Sequence, residues 1–187
     1  AEPHRSLSSR EIGVTVGRAF EGVRVIDLTQ VFAGPYATLM LASLGADVVK
    51  LEPLAGDQAR RLLDHGQLAA AGMSPAFIGL NAGKRSIAID LKHPEALALV
   101  RRLVESADVF VENSRPGVME RLGLSYESLS VVCPDLIYCS ISGYGQQGPR
   151  RDAPAYDGAV QAASGMMSIG GEPGQDPLRV AFPVIDM

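Results

Sequence analysis

An aspartate near the end of the sequence, Asp186, follows a mostly apolar run that begins at Arg179. A carboxylate in apolar surroundings loses hydration, and it can then act as a covalent nucleophile. An aspartate in such a position can also cap a helix that begins beyond it. The spacing alone favours the capping interpretation, and the nucleophile is the second hypothesis.

Basic side chains form the other group with chemical potential. Five of them fall at predicted loops, namely Lys84, Arg85, Lys92, Arg115 and Arg121. Each one alone is typical of a solvated surface. As a set they lie near the ends of neighbouring predicted strands, where open α/β sheets bind their ligands. Because arginine binds phosphate through two parallel hydrogen bonds, the set predicts a crevice for a phosphorylated cofactor.

Other chemistries have less support. The histidines His4, His65 and His93 belong to no G-x-S-x-G or H-E-x-x-H motif, and the sequence has no G-x-x-x-x-G-K-[ST] phosphate loop. A dinucleotide site has one point in its favour, because Glu52 ends the second predicted strand where a ribose-binding acid would sit. However, the turn before the first helix has a single glycine, Gly34, where the dinucleotide fingerprint has three.

The elements that must position these groups alternate between strand and helix. Short apolar runs predict strands at 23–29, 47–52, 86–90, 108–113 and 136–141, and periodic or proline-started segments predict helices at 36–44, 94–106, 116–121, 125–131 and 157–167. Residues 53–80 lack a clear period and are predicted to form a long functional excursion. The fold class is therefore α/β, with a Rossmann-like, open, mainly parallel sheet flanked by helices.

Composition and charge exclude some classes of protein. A net charge of −4 argues against a nucleic-acid-binding protein. No apolar run reaches the ~18 residues that a membrane-spanning helix needs. The two cysteines, Cys133 and Cys139, are too few for a disulfide framework and lack metal-ligand neighbours, so they predict reduced core thiols in a cytoplasmic protein.

A series of short motifs runs through the chain after residue 20. It consists of residues 22–28, Ala33-Gly34-Pro35, residues 44–52, Gly56-Asp57, Asn81, Lys84-Arg85-Ser86, Asp90-Leu91-Lys92, residues 108–113, Arg115-Pro116-Gly117, Leu122-Gly123, residues 142–145, Ala155-Tyr156-Asp157, Gln161-Ala162, Ser164-Gly165 and residues 183–186. In this order and spacing the series resembles the N-terminal half of the family III CoA-transferases. That family includes formyl-CoA transferase, carnitine CoA-transferase and α-methylacyl-CoA racemase.

The resemblance implies that coenzyme A lies across the C-terminal ends of the strands. The positions that match the family's CoA site are Phe32, Ala33, Ile89, Lys92, Asn113, Ser114, Arg115 and Arg121, with Ala155 and Tyr156 near the pantetheine. Pro53 occupies a place that is arginine in some members, which implies one phosphate contact fewer. Asp186 matches the catalytic aspartate of the family.

The activity implied by the resemblance is transfer of CoA from an acyl-CoA to a carboxylic acid. Asp186 would carry first an anhydride and then a CoA thioester, and no metal or redox cofactor is needed. A 2-methylacyl-CoA racemase of the same family is the alternative. It would need a histidine at the position of Tyr156, and a tyrosine, with an ordinary pKa near ~10, is a poor base at neutral pH. A noncatalytic, NAD-like nucleotide-binding module is the third hypothesis.

The resemblance also implies a domain organisation. It makes residues 21–187 a CoA-binding α/β domain that stops before the family's small domain. Residues 1–20 show no clean period and are expected, on that ground, to form an N-terminal arm. Family members form interlocked homodimers. We therefore expect this chain to be part of a longer dimeric enzyme and to lack transferase activity on its own.

Overall fold

The structure, a computed structural model, describes residues 17–62, 66–172 and 174–187. Five strands form one sheet in the order β3-β2-β1-β4-β5, and every neighbouring pair is parallel. The strands are β1 (Arg24–Leu28), β2 (Asp47–Glu52), β3 (Arg85–Ala88), β4 (Val109–Glu112) and β5 (Ile137–Ser140). The predicted fold class is thus confirmed. Most of the predicted arm, residues 1–16, lies outside the described residues, as does His65.

Seven helices accompany the sheet in the described part of the chain. They are α1 (Ala33–Ser43), α2 (Gln67–Ala70), α3 (Pro75–Asn81), α4 (Pro94–Val104), α5 (Val118–Leu122), α6 (Tyr126–Ser130) and α7 (Asp157–Ala163). The described residues also form two short 3-10 turns, at Gln58–Arg61 and Met166–Ser168. None of the described helices has the length and apolar character that crossing a bilayer requires.

The three central strands β2, β1 and β4 are buried on both faces of the sheet. Successive residues of a strand point to opposite faces. Val25 and Ile26 of β1 are both completely buried, and they belong to separate core clusters. Helix α1 covers the Val25 face through Leu41, whereas α4, α5 and α6 cover the Ile26 face. Helix α4 lies where the sequence predicts a helix, and its Val100 and Val104 are fully buried against the Ile26 face. Burial of each contributes about 1.5–3 kcal/mol.

The excursion predicted at 53–80 is more regular than the sequence indicated. It holds the first 3-10 turn and helices α2 and α3, each of seven residues or fewer. Elements this short span barely two turns, so they give no clear helical period. The start of α3 is fixed locally, because the Ser74 hydroxyl accepts a hydrogen bond from the amide of Phe77 at 3.2 Å.

Candidate active site

A cleft of about 560 Å³ opens at the carboxyl ends of β1, β4 and β5. Strands β1 and β4 are neighbours, but the chain leaves them toward opposite faces of the sheet, into α1 and α5. Ligands of open α/β sheets bind at such switch points. Eight of the predicted site residues line this cleft: Phe32, Ala33, Asn113, Ser114, Arg115, Ala155, Tyr156 and Asp186.

Two loops of the cleft are joined by the side chain of Asn113. Its Oδ1 accepts a hydrogen bond from the amide of Gln30 at 2.9 Å, and its Nδ2 donates one to the Gln30 carbonyl at 2.8 Å. These two bonds continue the pairing of β1 and β4 beyond the ends of the strands. Asn113 therefore shapes the wall of the cleft, and one N–H and one lone pair remain for a ligand.

Val31, which follows Gln30 in the chain, has a left-handed backbone with φ of 70°. Among the described residues it is the one non-glycine residue with positive φ. A β-branched side chain makes this conformation costly, by about 1–3 kcal/mol. The Val31 amide donates to Oδ1 of Asp57 at 3.0 Å, which holds the strained peptide in place.

Asp57 is itself held by a buried lysine from the middle of the sheet. Lys50 Nζ lies 2.8 Å from Asp57 Oδ2 and donates a hydrogen bond to the Thr29 carbonyl at 2.7 Å. The Lys50 and Asp57 side chains are 1% and 0% exposed. Sequence analysis did not single out this pair. A lysine inside the apolar run of β2 was the available signal, because a buried charge requires a partner.

Glu52, the candidate ribose-binding acid, is occupied inside the protein. Arg60 donates to its two carboxylate oxygens at 2.6 and 2.7 Å, and the hydroxyl of Ser86 also donates to it. Burial raises the pKa of Glu52, but the hydrogen bonds from Arg60, Ser86 and the amide of Asp57 outweigh it and bring the pKa to about 2. The NAD-like hypothesis thereby loses the acid on which it depended.

Of the five basic residues considered for the phosphate crevice, Lys84 and Arg85 lie elsewhere. The side chain of Lys84 is 1% exposed and reaches α1, where its Nζ lies 3.0 Å from Asp27 Oδ2 and donates a hydrogen bond to the Pro35 carbonyl at 2.8 Å. Arg85 binds Asp47 at the amino end of the sheet, at 2.6 Å. The reason is that Lys84 directly precedes β3 and Arg85 is its first residue, so both lie at the amino end of the strand and not at its carboxyl end.

Three predicted CoA-site residues also lie outside the lining of the cleft, namely Ile89, Lys92 and Arg121. Ile89 is 7% exposed and belongs to the core cluster packed against α4. Two strands, β2 and β1, separate β3 from β4 in the sheet, which keeps Ile89 and Lys92 away from Asn113. Their role in binding stays a prediction.

Arg151 is a cleft residue that sequence analysis missed. With Arg115 it supplies the cations of the cleft lining, and its side chain is 49% exposed. The loop around it gives no periodic pattern. Gly143 shapes the same loop, because a Cβ at this position would overlap with the Cβ of Ala155.

Asp186 is carried by a strap, residues 180–186, that α7 holds through two polar side chains. Gln161 is fully buried, accepts from the amide of Val180 at 3.0 Å and donates to the Val180 carbonyl at 3.2 Å. Asp157 accepts from the amide of Ile185 at 2.8 Å and from Gln161 at 2.5 Å. The position of Asp186 is therefore fixed by hydrogen bonds on its own strap.

The Asp186 carboxyl is half-buried at the cleft. Burial raises its pKa, and the nearby negative charge of Asp157 raises it further. A carboxylate with a raised pKa is more basic, and so a better nucleophile toward a carbonyl carbon, than a fully hydrated one. The arrangement is a half-buried acid, Asp186, in a cleft whose lining also carries two arginines and the exposed Asp152, which lies 3.4 Å from Arg151.

Comparison with known proteins gives a consistent result. The family model described as CoA-transferase family III matches residues 20–187. A succinate–glutarate CoA-transferase of Agrobacterium fabrum is 50% identical over 170 residues, which is 89% of this chain and 42% of that protein. The human succinyl-CoA:glutarate CoA-transferase is 41% identical, covering 91% of this chain and 38% of its own length. An acetyl-CoA:oxalate CoA-transferase of Acetobacter aceti is 46% identical, covering 86% of this chain and 41% of its own.

A solved structure matches as well. The crystal structure of a CaiB/BaiF family protein from Brucella suis aligns with a TM-score of 0.84 at 38% identity, over 91% of this chain and 46% of that one. The chain thus spans about two fifths of the length of these curated relatives. Because the matched residues include every strand of the sheet and Asp186, the chain belongs to CoA-transferase family III.

Proposed function

We propose that this chain forms the CoA-binding part of an acyl-CoA:carboxylate CoA-transferase, with Asp186 as its nucleophile. The observation that carries the proposal is a half-buried carboxyl, with a pKa raised by burial and by Asp157, beside a cleft at the switch point of a parallel sheet. CoA-transfer activity in the named relatives supports it.

The reaction exchanges carboxylates at one thioester. An Asp186 oxygen attacks the acyl-CoA carbonyl carbon, the carbon–sulfur bond breaks, and a mixed anhydride and a CoA thiolate form. The thiolate then attacks the Asp186 carbonyl carbon, which releases the donor acid and leaves an aspartyl-CoA thioester. An acceptor carboxylate attacks this thioester, which breaks its carbon–sulfur bond, releases the CoA thiolate and forms a second anhydride between Asp186 and the acceptor. The thiolate finally attacks the acceptor's acyl carbon in this anhydride, which forms the new acyl-CoA and frees the Asp186 carboxylate. Each step converts one anhydride or thioester into the other, so no net proton transfer is required.

The proposed substrates are a short dicarboxylic acyl-CoA as donor and a dicarboxylic acid as acceptor. For the donor, two of the named relatives support this class, since their names specify succinate or succinyl-CoA with glutarate. The third is named for acetyl-CoA and oxalate, so it supports the dicarboxylic class for the acceptor alone. Arg115 and Arg151 are the cations of the cleft lining, and the proposal assigns them to the CoA phosphates and to the distal carboxylate. The remaining predicted positions, Ile89, Lys92 and Arg121, are retained as proposed contacts of the adenosine end.

Transfer is favoured over racemisation by the residue at the position of the family's histidine. That residue is Tyr156, which lines the cleft with a side chain 71% exposed. A racemase requires a second proton-transferring base opposite the aspartate, and a phenol is poorly suited to that role at neutral pH. By the same family likeness we propose that residues 21–187 act as the CoA-binding domain of a homodimer.

The test uses the full-length protein, because the chain spans 38–42% of its curated relatives. Transfer of CoA from succinyl-CoA to glutarate is measured for wild type, D186N and D176N. Asp176 is an exposed aspartate outside the cleft lining, so D176N removes the same charge at a position that has no proposed role in the reaction. We expect D186N to lose transfer by about 1,000-fold or more, since the covalent route is closed. Comparable rates in D186N and D176N would rule out Asp186 as the nucleophile.

A further inference from the structure

Two segments of the cleft meet at one buried carboxylate oxygen. Asp57 Oδ1 accepts a hydrogen bond from the amide of Val31 at 3.0 Å and from the amide of Ala59 at 2.9 Å. Val31 belongs to the loop after β1, and Gln58, next to Ala59, belongs to the first 3-10 turn. Both Val31 and Gln58 line the cleft. One oxygen of Asp57 therefore fixes the distance between the loop after β1 and the first 3-10 turn, which both form part of the cleft wall.

Asp57 has little freedom to move. Its other oxygen, Oδ2, lies 2.8 Å from Nζ of Lys50, and its own amide donates to Glu52 Oε2 at 3.0 Å. Lys50 and Glu52 both belong to β2, in the interior of the sheet. The position of Asp57 is thus transmitted from the rigid sheet to the cleft, through a pair of side chains that solvent does not reach.

Val31 needs such a support because its backbone is strained. A valine prefers negative φ, and at 70° its Cβ crowds the backbone. Relaxation to negative φ would rotate the peptides on both sides of Val31. The neighbours are Gln30 and Phe32, which also line the cleft that contains Asp186. Strain of this kind persists where the surroundings over-determine the conformation.

We propose that Asp57 is a positioning residue of the transferase site. Through its bond to the Val31 amide it keeps the loop from Gln30 to Ala33 in the conformation that presents the acyl-CoA to Asp186. This inference rests on the proposed function. Covalent catalysis depends steeply on the alignment of the attacking oxygen and the carbonyl carbon, so a loose wall slows the first chemical step more than it weakens binding.

The test compares two variants of the full-length protein that differ in one acceptor. K50M/D57N removes both charges of the buried pair but leaves an amide oxygen for Val31. K50M/D57L has nearly the same volume and no acceptor. Single-turnover formation of the Asp186 adduct from succinyl-CoA is measured at saturating substrate, together with the dissociation constant of CoA. We expect the adduct rate of the Leu variant to be about 100-fold below that of the Asn variant, with dissociation constants that agree within about threefold.

A second comparison leaves the ion pair intact. V31P removes the amide proton that Asp57 accepts and fixes φ at a negative value, whereas V31A keeps the amide. We expect V31P to form the adduct about 100-fold more slowly than V31A, with CoA affinity again similar. This comparison decides the matter if K50M/D57L does not fold, as judged by thermal unfolding.

The outcomes separate the two proposals. If wild type forms an adduct at Asp186 and each pair of variants reacts at equal rates, the positioning role of Asp57 is overturned while the proposed function stands. Equal losses of adduct rate and CoA affinity also overturn it, because they indicate general damage to the cleft. If wild type forms no adduct at Asp186, the proposed function itself has failed.

Discussion

Asp157 accepts a hydrogen bond from the amide of Ile185 at 2.8 Å, and the next residue of the chain is Asp186. The carboxylate of Asp157 is 6% exposed and stands at the start of α7, where the helix dipole favours a negative charge. A buried acid on a fixed helix thus determines the position of a second acid at the cleft. The negative charge of Asp157 also lies near Asp186 and favours the protonated form of that carboxyl. Asp157 therefore influences the position of the nucleophile through a hydrogen bond and its protonation through charge.

The first prediction concerns that hydrogen bond. The Ile185 amide and the Gln161 side chain donate to different oxygens of Asp157. The D157N variant keeps only one of these oxygens, so one of the two hydrogen bonds is lost. We expect kcat of the full-length protein to fall by about 10- to 100-fold, with a smaller change in KM for the acyl-CoA. R179A is the control, because Arg179 lies 3.9 Å from Asp157 on an exposed side chain. An R179A loss as large as that of D157N would contradict the strap mechanism.

The same variant carries a prediction about pH. Burial and then the Asp157 charge raise the pKa of Asp186, so removal of that charge lowers the pKa. Asp186 acts as the carboxylate, and activity therefore falls on the acid side as Asp186 becomes protonated. We expect the acid limb of the profile of kcat/KM against pH to move to lower pH in D157N. A limb that stays in place, or moves to higher pH, would show that a different group titrates.

A third prediction tests the close approach of two cleft loops. A Cβ at Gly143 would overlap with that of Ala155, so G143A must push the loops apart. We expect G143A to raise the dissociation constant of CoA by about tenfold, because both residues line the cleft. The double variant G143A/A155G removes the overlapping atom, and we expect it to recover most of the affinity. Calorimetric titration with CoA checks both values, and a double variant no better than G143A would contradict the packing argument.

The sheet could be predicted from the sequence because its signals are local. The apolar runs at 47–52 and 108–113 recur as strands β2 and β4 within one or two residues, and Pro94 opens α4 as predicted. In a parallel sheet with both faces covered, strands read as continuous apolar stretches. The alternation with helices then leaves few topologies, and the observed one is among them.

The site could be predicted only in part, because its contacts join residues far apart in the chain. Asn113 and Gln30 bond to each other across 83 positions, and no local pattern indicates that partnership. The prediction was wrong for Lys84 and Arg85 for a related reason: the position of a residue relative to its strand determines the end of the sheet at which it lies. Lys84 precedes β3 by one residue and therefore pairs with Asp27 inside the protein.

That correction leads to a fourth prediction. K84M leaves the Asp27 carboxylate buried without its cation, and we expect the free energy of unfolding to fall by about 3–5 kcal/mol. The double variant K84M/D27N removes both charges, so its loss should be clearly smaller. CoA affinity of the folded fraction should be unchanged, since Lys84 lies outside the cleft lining. Denaturant unfolding and a CoA titration measure these effects, and a stable K84M with weakened CoA binding would restore Lys84 as a phosphate ligand.

A fifth prediction compares two buried glutamates with opposite pKa shifts. Hydrogen bonds lower the pKa of Glu52 from 4.5 to about 2, so its charge stabilises the fold above the ordinary pKa, and this stabilisation is lost as the pH falls toward 2. Burial raises the pKa of Glu112, which means that its charge opposes folding at neutral pH. We expect E52Q to lower the free energy of unfolding by up to about 3 kcal/mol at pH 7 and by much less near pH 2, as measured by urea unfolding. E112Q should lose less than E52Q at pH 7, and the reverse order would contradict the assigned shifts.

The most direct measurement is the covalent state of Asp186 during turnover. Full-length protein is mixed with succinyl-CoA, quenched in acid and digested, and the peptide that contains residue 186 is weighed by mass spectrometry. We predict a fraction of this peptide with the added mass of CoA less one water, located at Asp186 and missing in D186N. Turnover to glutarate with an unmodified peptide at every quench time, or with the adduct on another residue, would contradict the account.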